Sequence, residues 1–291
     1  MATYTDRSWN SPDGLRLHYR DYDGPHERPP ILCIPGLTRN ARDFEPVAER
    51  FAGKWRVIVV DLRGRGSSEH DPNPANYVPQ VYAADLLKLL DQLGIADAVF
   101  VGTSLGGIVT MVMAKRDVER IAGALLNDIG PEIDPRGLAR IGSHVGKAVD
   151  YADFAELARD LATRNGDTFP DYTPEQWEKF ARTLASEQDG RVRFDYDMAI
   201  AGGFEASRSA PPADIWPYYR ALAGRPVTLL RGELTDLLEE KVAQRMASEI
   251  PDVELVTIPR VGHAPALDEP ESLAAIERLL GRVLAREEEH A

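Results

Sequence analysis

The chain has 291 residues, of which 43% are hydrophobic and 28% charged, proportions that are ordinary for a soluble globular protein able to bury a full core. Its formal net charge of −13 at pH 7 argues against nucleic acid and anionic membrane surfaces as partners. The one cysteine, Cys33, lies in an apolar run, so we expect a buried structural thiol and no intrachain disulfide. The N-terminus lacks the apolar core of a secretory signal, and no apolar stretch reaches the roughly 18 residues that span a bilayer. These features predict a cytoplasmic location.

Short β-branched runs alternate with helical periodicity up to about residue 130, a pattern typical of a largely parallel sheet. Residues 15–20 alternate with period two, as an antiparallel edge strand would. Next come predicted strands over 31–34, 55–60, 98–103 and 121–127 and predicted helices over 43–51 and 85–93. After residue 220 the rhythm returns, with strands over 226–230 and 253–258 and helices over 239–249 and 271–286.

Residues 131–219 interrupt this alternation, because they have helical periodicity and no convincing strand. They also hold a cluster of aromatic residues: Trp177, Phe180, Phe194, Tyr196, Phe204, Trp216, Tyr218 and Tyr219. A helical insertion in an α/β chain predicts a lid over the carboxyl edge of the sheet, where such folds bind ligands. We therefore expect an α/β core from residues 1–130 and 220–291 and a helical cap from residues 131–219. A helical domain with no role in the site is the alternative.

Residues 102–106 read G-x-S-x-G between the predicted strand over 98–103 and an apolar helix. Gly102 and Gly106 would let the strand and helix approach each other. Ser104 would be strained and exposed there, with a helix N-terminus that favours negative charge. The segment resembles the nucleophile elbow of α/β-hydrolases.

The resemblance to the α/β-hydrolase superfamily extends along nearly the whole chain. It includes residues 61–68, which are similar to the superfamily's D-x-R-G-x-G-x-S loop and which we interpret as structural support for the site. The resemblance implies an α/β-hydrolase fold, in which helices flank a mostly parallel eight-stranded sheet and a helical cap is inserted.

A serine nucleophile needs a base, and the base needs a carboxylate that fixes its tautomer. On this fold the three residues follow in the order Ser, Asp or Glu, His. His263 lies in a loop directly after the last predicted strand and is the candidate base. Asp236, on the loop after strand 226–230, is the preferred acid. Asp128, at the end of strand 121–127, and Glu233 are its alternatives.

Backbone N–H groups are expected to bind the oxyanion of the tetrahedral intermediate. One belongs to Leu105, directly after the nucleophile, and the other to Leu37, in the loop where Gly36 lets the backbone turn inward. Arg39 follows in that loop. We expect it to cap a surface carboxylate or, alternatively, to attract an anionic group of the substrate.

Together these residues predict a serine hydrolase that cleaves a carboxylic ester or lactone through an acyl-enzyme. We expect no cofactor and no metal, since no histidine, carboxylate or cysteine spacing suggests a metal site. The expected partner is a small apolar ester-like substrate, and the expected state is a monomer or homodimer. Ser104 argues against the superfamily branches that use an aspartate nucleophile. Thr103, Leu105 and Ala264 depart from the pattern of its carbon–carbon hydrolases. Carbon–carbon cleavage, acyl transfer and ligand binding without catalysis remain alternatives.

Overall fold

The computed structural model describes residues 2–209 and 213–290. The strands in this part of the chain are β1 (Thr5–Asn10), β2 (Arg16–Tyr22), β3 (Ile31–Ile34), β4 (Val57–Asp61), β5 (Ala98–Thr103), β6 (Ile121–Asn127), β7 (Ala185–Gln188), β8 (Arg191–Phe194), β9 (Val227–Gly232) and β10 (Val253–Ile258). The helices are α1 (Glu45–Phe51), α2 (Pro79–Leu93), α3 (Leu105–Asp117), α4 (Pro135–Gly142), α5 (Phe154–Asn165), α6 (Pro174–Leu184), α7 (Ile200–Ser209), α8 (Trp216–Arg220), α9 (Glu240–Glu249) and α10 (Pro270–His290). None of these helices is both long and apolar enough to cross a membrane.

The main element is an eight-stranded sheet with the order β1-β2-β4-β3-β5-β6-β9-β10. Strand β2 pairs antiparallel with β1 and β4, whereas every pairing from β4 to β10 is parallel. The central strands are apolar and almost completely buried, because helices cover both faces. Helices α2, α3, α8 and α9 bury their apolar residues on one face, and α1 and α10 on the other. The predicted fold class is confirmed.

The predicted strands over 98–103, 121–127 and 253–258 coincide with β5, β6 and β10. Strand β1 was not predicted, and β1 rather than β2 forms the sheet edge. Its sequence, TDRSWN, leaves five of six residues exposed, so it carries no apolar alternation that could indicate a strand. Helix α2 begins at Pro79, ahead of its predicted start at residue 85.

The segment between β6 and β9 contains α4 to α8 and a hairpin formed by β7 and β8. The expectation that this segment holds no strand is therefore wrong. Asp189 and Gly190 join the two strands with φ values of 52° and 72°, and Asp-Gly is the dipeptide that a two-residue hairpin turn favours. This local signal could have revealed the hairpin.

Helices α5 and α6 and the hairpin form a small apolar core of their own, in which Phe169, Trp177 and Phe180 contact one another. Helix α8 differs, since Trp216 and Tyr219 are buried in the cluster that also contains α3. We therefore group α8 with the sheet. The name cap is used below for the segment from α4 to α7, whose exact limits stay a prediction.

Polar contacts fasten the cap to the loops at the carboxyl edge of the sheet. Arg42 Nη2 donates to Asp195 Oδ2 at 2.8 Å, and Asn40 Nδ2 donates to the carbonyl of Thr183 at 2.9 Å. On another side, the N–H of Asp134 donates to the carbonyl of Leu237 at 3.0 Å. These contacts fix the cap above the ends of β3, β5 and β9.

Candidate active site

Ser104 occupies the turn between β5 and α3. Its φ of 52° lies in the left-handed region, which is strained for a serine and is tolerated where the surroundings hold it. Here its N–H donates to the carbonyl of Asn127 at 3.0 Å. A Cβ at Gly102 would lie 2.5 Å from the carbonyl carbon of Gly106, and one at Gly106 would overlap the carbonyl oxygen of Ile34. Both glycines are therefore required for the helix to start this close to the strands.

A chain of hydrogen-bond contacts runs from Ser104 through His263 to Asp128. Ser104 Oγ lies 3.0 Å from His263 Nε2, and His263 Nδ1 lies 2.8 Å from Asp128 Oδ2. The His263 side chain is 9% exposed and that of Asp128 is fully buried. A serine, a base and a carboxylate in this sequence of contacts are the arrangement that activates a hydroxyl as a nucleophile.

Asp128 follows β6 directly, and its backbone is also left-handed, with φ 56°. Its N–H donates to the carbonyl of Leu230 at 2.8 Å. Its Oδ1 accepts from the N–H of Gly232 at 3.0 Å, and its Oδ2 accepts from Thr235 Oγ1 at 2.6 Å. These donors compensate the buried carboxylate for its lost water and orient it toward His263.

The choice of Asp236 as the acid is corrected, because Asp128 and not Asp236 is placed to accept the hydrogen bond of His263 Nδ1. The Asp236 carboxylate instead accepts two hydrogen bonds from Arg140 on α4, with Nε 2.6 Å from Oδ2 and Nη2 2.7 Å from Oδ1. Burial tends to raise the pKa of Asp236, but the hydrogen bonds and charge of Arg140 outweigh it and lower that pKa. Glu233, the third candidate, is exposed and accepts from the N–H of Arg260 at 2.7 Å.

Leu37 and Leu105 both lie close to Ser104. A Cβ at Gly36 would be 3.8 Å from the Cβ of Ser104, so the loop that carries Leu37 borders the nucleophile, and Leu105 is the first residue of α3. Among the described residues, no protein acceptor takes the N–H of Leu37 or Leu105. Two N–H groups in these positions could donate to an oxyanion formed at Ser104.

The loop over residues 61–68 forms hydrogen bonds with the segment that contains Leu37 and Ala41. The fully buried Arg65 donates from Nε to the carbonyl of Leu37 at 2.9 Å. Asp61 accepts from the N–H of Ala41 at 2.7 Å and from that of Ser67 at 3.0 Å. The D-x-R-G-x-G-x-S segment thus supports the candidate oxyanion site through hydrogen bonds and contributes no group to the cavity itself.

A cavity of about 260 Å³ lies between the cap and the sheet, with Ser104, His263 and Leu37 among its lining. Apolar side chains of the cap form part of its wall: Ile141, Leu161, Phe169, Phe180, Leu184, Phe194 and Tyr196. Five cationic side chains also line it: Arg39, Arg42, Arg140, Arg164 and Lys179. Arg140 and Arg164 were not singled out from the sequence, because their place at the cavity depends on how the inserted helices fold back.

Arg39 lines the cavity together with Asp43, with which it forms an ion pair. Its Nε and Nη2 lie 2.6 and 2.5 Å from the carboxylate oxygens of Asp43, and its guanidinium carbon is 4.6 Å from the ring centre of Phe180. This geometry agrees with the expectation that Arg39 caps a carboxylate.

A protein-family model described as alpha/beta hydrolase family matches residues 31–276. The chain is 33% identical over 273 residues to a 3-hydroxybutyrate-oligomer hydrolase of Cupriavidus necator, covering 91% of this chain and 92% of that protein. It is 26% identical over 236 residues to a 2-(acetamidomethylene)succinate hydrolase of Mesorhizobium japonicum, covering 81% of each. The crystal structure of an alpha/beta hydrolase from Novosphingobium aromaticivorans superposes with a TM-score of 0.93 at 52% identity, covering 97% of this chain and 99% of that one.

Proposed function

The chain belongs to the alpha/beta hydrolase family, and from this premise we propose that it is a serine hydrolase that cleaves a carboxylic ester through an acyl-enzyme. The observation that carries the proposal is the contact chain from Ser104 Oγ to His263 Nε2 at 3.0 Å and from His263 Nδ1 to Asp128 Oδ2 at 2.8 Å. Asp128 replaces Asp236 as the acid in this proposal.

In the proposed mechanism Ser104 Oγ attacks the ester carbonyl while His263 Nε2 accepts its proton. Asp128 accepts the Nδ1–H hydrogen bond, which fixes the tautomer and stabilises the imidazolium. The N–H groups of Leu37 and Leu105 bind the oxyanion, and loss of one such donor costs about 10²–10³ in turnover in serine hydrolases. His263 then returns the proton to the leaving alcohol, and a water activated by the same imidazole hydrolyses the acyl-enzyme at Ser104.

We propose short oligoesters of a 3-hydroxy acid as the substrates to test first. The relative from Cupriavidus necator is named for hydrolysis of 3-hydroxybutyrate oligomers and matches most of this chain. Such an oligomer is a small ester with a free carboxylate at one end. A cavity of about 260 Å³ lined by both apolar and cationic groups suits such a molecule better than the small apolar ester expected from the sequence.

The direct test measures hydrolysis of p-nitrophenyl hexanoate and of the 3-hydroxybutyrate dimer, together with labelling by a fluorophosphonate probe. Ser104→Ala is expected to lower turnover about 10⁴-fold or more and to abolish labelling. Ser248→Ala, an exposed serine on α9, is the matched control and is expected to behave as the wild type. A folded Ser104→Ala protein with near-normal esterase activity would overturn the proposal.

A further inference from the structure

The cationic side chains of the cavity differ in where their counter-charges lie. Arg39 pairs with Asp43, and Lys179 pairs with Asp268 at 3.4 Å; both of these carboxylates line the cavity themselves. Their charges are thus compensated within it.

Arg140 and Arg164 pair with carboxylates outside the cavity, as Arg42 does with Asp195. Arg140 pairs with Asp236 and Arg164 pairs with Asp160, and neither carboxylate is part of the cavity lining. The wall that these two arginines form therefore presents positive charge to the cavity.

Both guanidinium groups keep N–H donors that the protein does not use. Arg140 donates to Asp236 through Nε and Nη2, and among the described residues its Nη1 has no acceptor. Arg164 donates to Asp160 and to Tyr151 through Nη2, and in that same part of the chain its Nε and Nη1 have none. Their side chains are 25% and 31% exposed. A guanidinium with a free edge matches the two oxygens of a carboxylate.

His144 lies on the same wall as the two arginines. It also lines the cavity, and its Nδ1 lies 2.8 Å from Ser143 Oγ. Burial lowers the pKa of His144, and the charges of Arg164 and Arg140 lower it further. A neutral imidazole there keeps one ring nitrogen available to a polar ligand.

We propose that Arg140 and Arg164 bind a free carboxylate of the substrate, so that the enzyme prefers anionic esters to neutral ones of the same shape. This inference rests on the proposed function, because it concerns the ester bound at Ser104. The two arginines are thus specificity-determining residues. The substrate would place its carboxylate against Arg140 on α4 and Arg164 near the end of α5, and its ester carbonyl at Ser104. The Asp236 and Asp160 carboxylates hold the two guanidinium groups in place before the substrate enters.

The test compares kcat/KM for the 3-hydroxybutyrate dimer with kcat/KM for its terminal carboxamide, which keeps the shape and removes the charge. A charge-assisted hydrogen-bond pair in a partly buried site should give the wild type about a tenfold or larger preference for the acid. Arg140→Gln should lower this ratio about tenfold. Arg164→Gln, at the more exposed position, should also lower the acid-to-carboxamide ratio. It provides a second test of the proposal if Arg140→Gln does not fold. Arg136→Gln is the matched control, since Arg136 lies on the same helix, is 78% exposed and pairs with Asp134 outside the cavity.

The inference is overturned if the wild type shows no preference, or if both folded variants keep the wild-type ratio. If the dimer and its carboxamide bind without being cleaved, the acid-to-carboxamide preference is measured instead as the ratio of their inhibition constants for hydrolysis of p-nitrophenyl hexanoate. Labelling of Ser104 by the fluorophosphonate and hydrolysis of p-nitrophenyl hexanoate are measured in parallel. If these succeed while the acid-to-carboxamide ratio stays near one, only the carboxylate site fails; if they also fail, the proposed function fails with it.

Discussion

The carboxylate of Asp128 lies 2.8 Å from Nδ1 of His263, although 135 residues separate the two in the chain. The contact depends on the adjacent strand and its loop, because Gly232, the last residue of β9, and Thr235, in the loop that follows, donate to the same carboxylate. The loop after β9, which was expected to supply the acid Asp236, instead donates a hydrogen bond to Asp128, which follows the adjacent strand β6.

Replacing each of the two aspartates by asparagine distinguishes their roles. Asp128→Asn removes the charge that stabilises the imidazolium and no longer holds His263 in the tautomer with the proton on Nδ1. The value of kcat should therefore fall about 10⁴-fold. Asp236→Asn loses a partly exposed ion pair with Arg140, which is worth about 1 kcal/mol or less, so turnover of p-nitrophenyl hexanoate should fall less than about tenfold. The reverse ranking of the two variants would restore Asp236 as the acid.

Thr235 is predicted to position Asp128. Its hydroxyl donates to Asp128 Oδ2 at 2.6 Å, and a hydrogen bond to a charged group contributes about 1.5–3 kcal/mol. Thr235→Val should therefore lower kcat about 10- to 100-fold with little change in KM, and Thr235→Ser, which keeps the hydroxyl, should restore most of the rate. Steady-state kinetics on p-nitrophenyl hexanoate measure both effects. Equal kcat values for the valine and serine variants would refute this role.

His18 is predicted to make stability depend on pH. Its Nδ1 lies 2.7 Å from Asp61 and its Nε2 lies 2.8 Å from Asp6. Burial alone lowers the pKa of His18, but the hydrogen bonds and charges of the two carboxylates outweigh it, and the pKa rises above 6.5. The folded state thus binds the proton more tightly than the unfolded state, so this contribution is complete below about pH 6.5 and is lost as pH rises through the raised pKa.

Denaturant unfolding of the wild type and His18→Gln at several pH values measures this contribution. The difference in free energy of unfolding should be largest near pH 6 and should shrink toward about pH 9. His26→Gln, at a histidine whose side chain is 68% exposed, is measured alongside as the control. A His18→Gln difference that grows with pH would contradict the prediction.

Alanine at Gly106 should prevent normal folding, whereas alanine at Gly281 should be harmless. A Cβ at Gly106 overlaps the carbonyl oxygen of Ile34, while one at Gly281, on α10, meets no atom within 4 Å. An exposed helical glycine replaced by alanine gains about 0.5–1 kcal/mol. Thermal unfolding should show a large loss of Tm or insolubility for Gly106→Ala and an unchanged or higher Tm for Gly281→Ala. A soluble Gly106→Ala protein with wild-type Tm would show that α3 can move away from β3.

Local patterns predicted a largely parallel sheet and located Ser104, and the resemblance of the elbow to that of α/β-hydrolases implied the fold class. The elbow is encoded in five consecutive residues, and the buried strands β5 and β6 are apolar up to their last residues, Thr103 and Asn127. The choice between Asp128 and Asp236 was not local. It depended on the left-handed backbone of Asp128 and on an arginine that reaches Asp236 from 96 positions away, and neither can be read from the spacing of charged residues.

The cap shows the same limit from another side. Its hairpin had a local signal in Asp189 and Gly190, but its cavity-facing arginines had none, because α4 and α5 carry other charged residues as well and their sequences do not tell which of these meets the cavity. Only the packing of these helices over the sheet selects Arg140 and Arg164 for the cavity.

The position of Asp128 has a consequence for how this protein can diversify. Ser104 and Asp128 both precede the cap in the chain and His263 follows it, so the cap is one continuous stretch that contains none of the three. A chimera that exchanges this stretch with that of a relative would replace Arg140 and Arg164 together and keep the residues around Ser104. Substrate preference could thus evolve by recombination of a single gene segment, provided that the residues outside it that contact the cap, such as Asp236, Arg42 and Asn40, change with it.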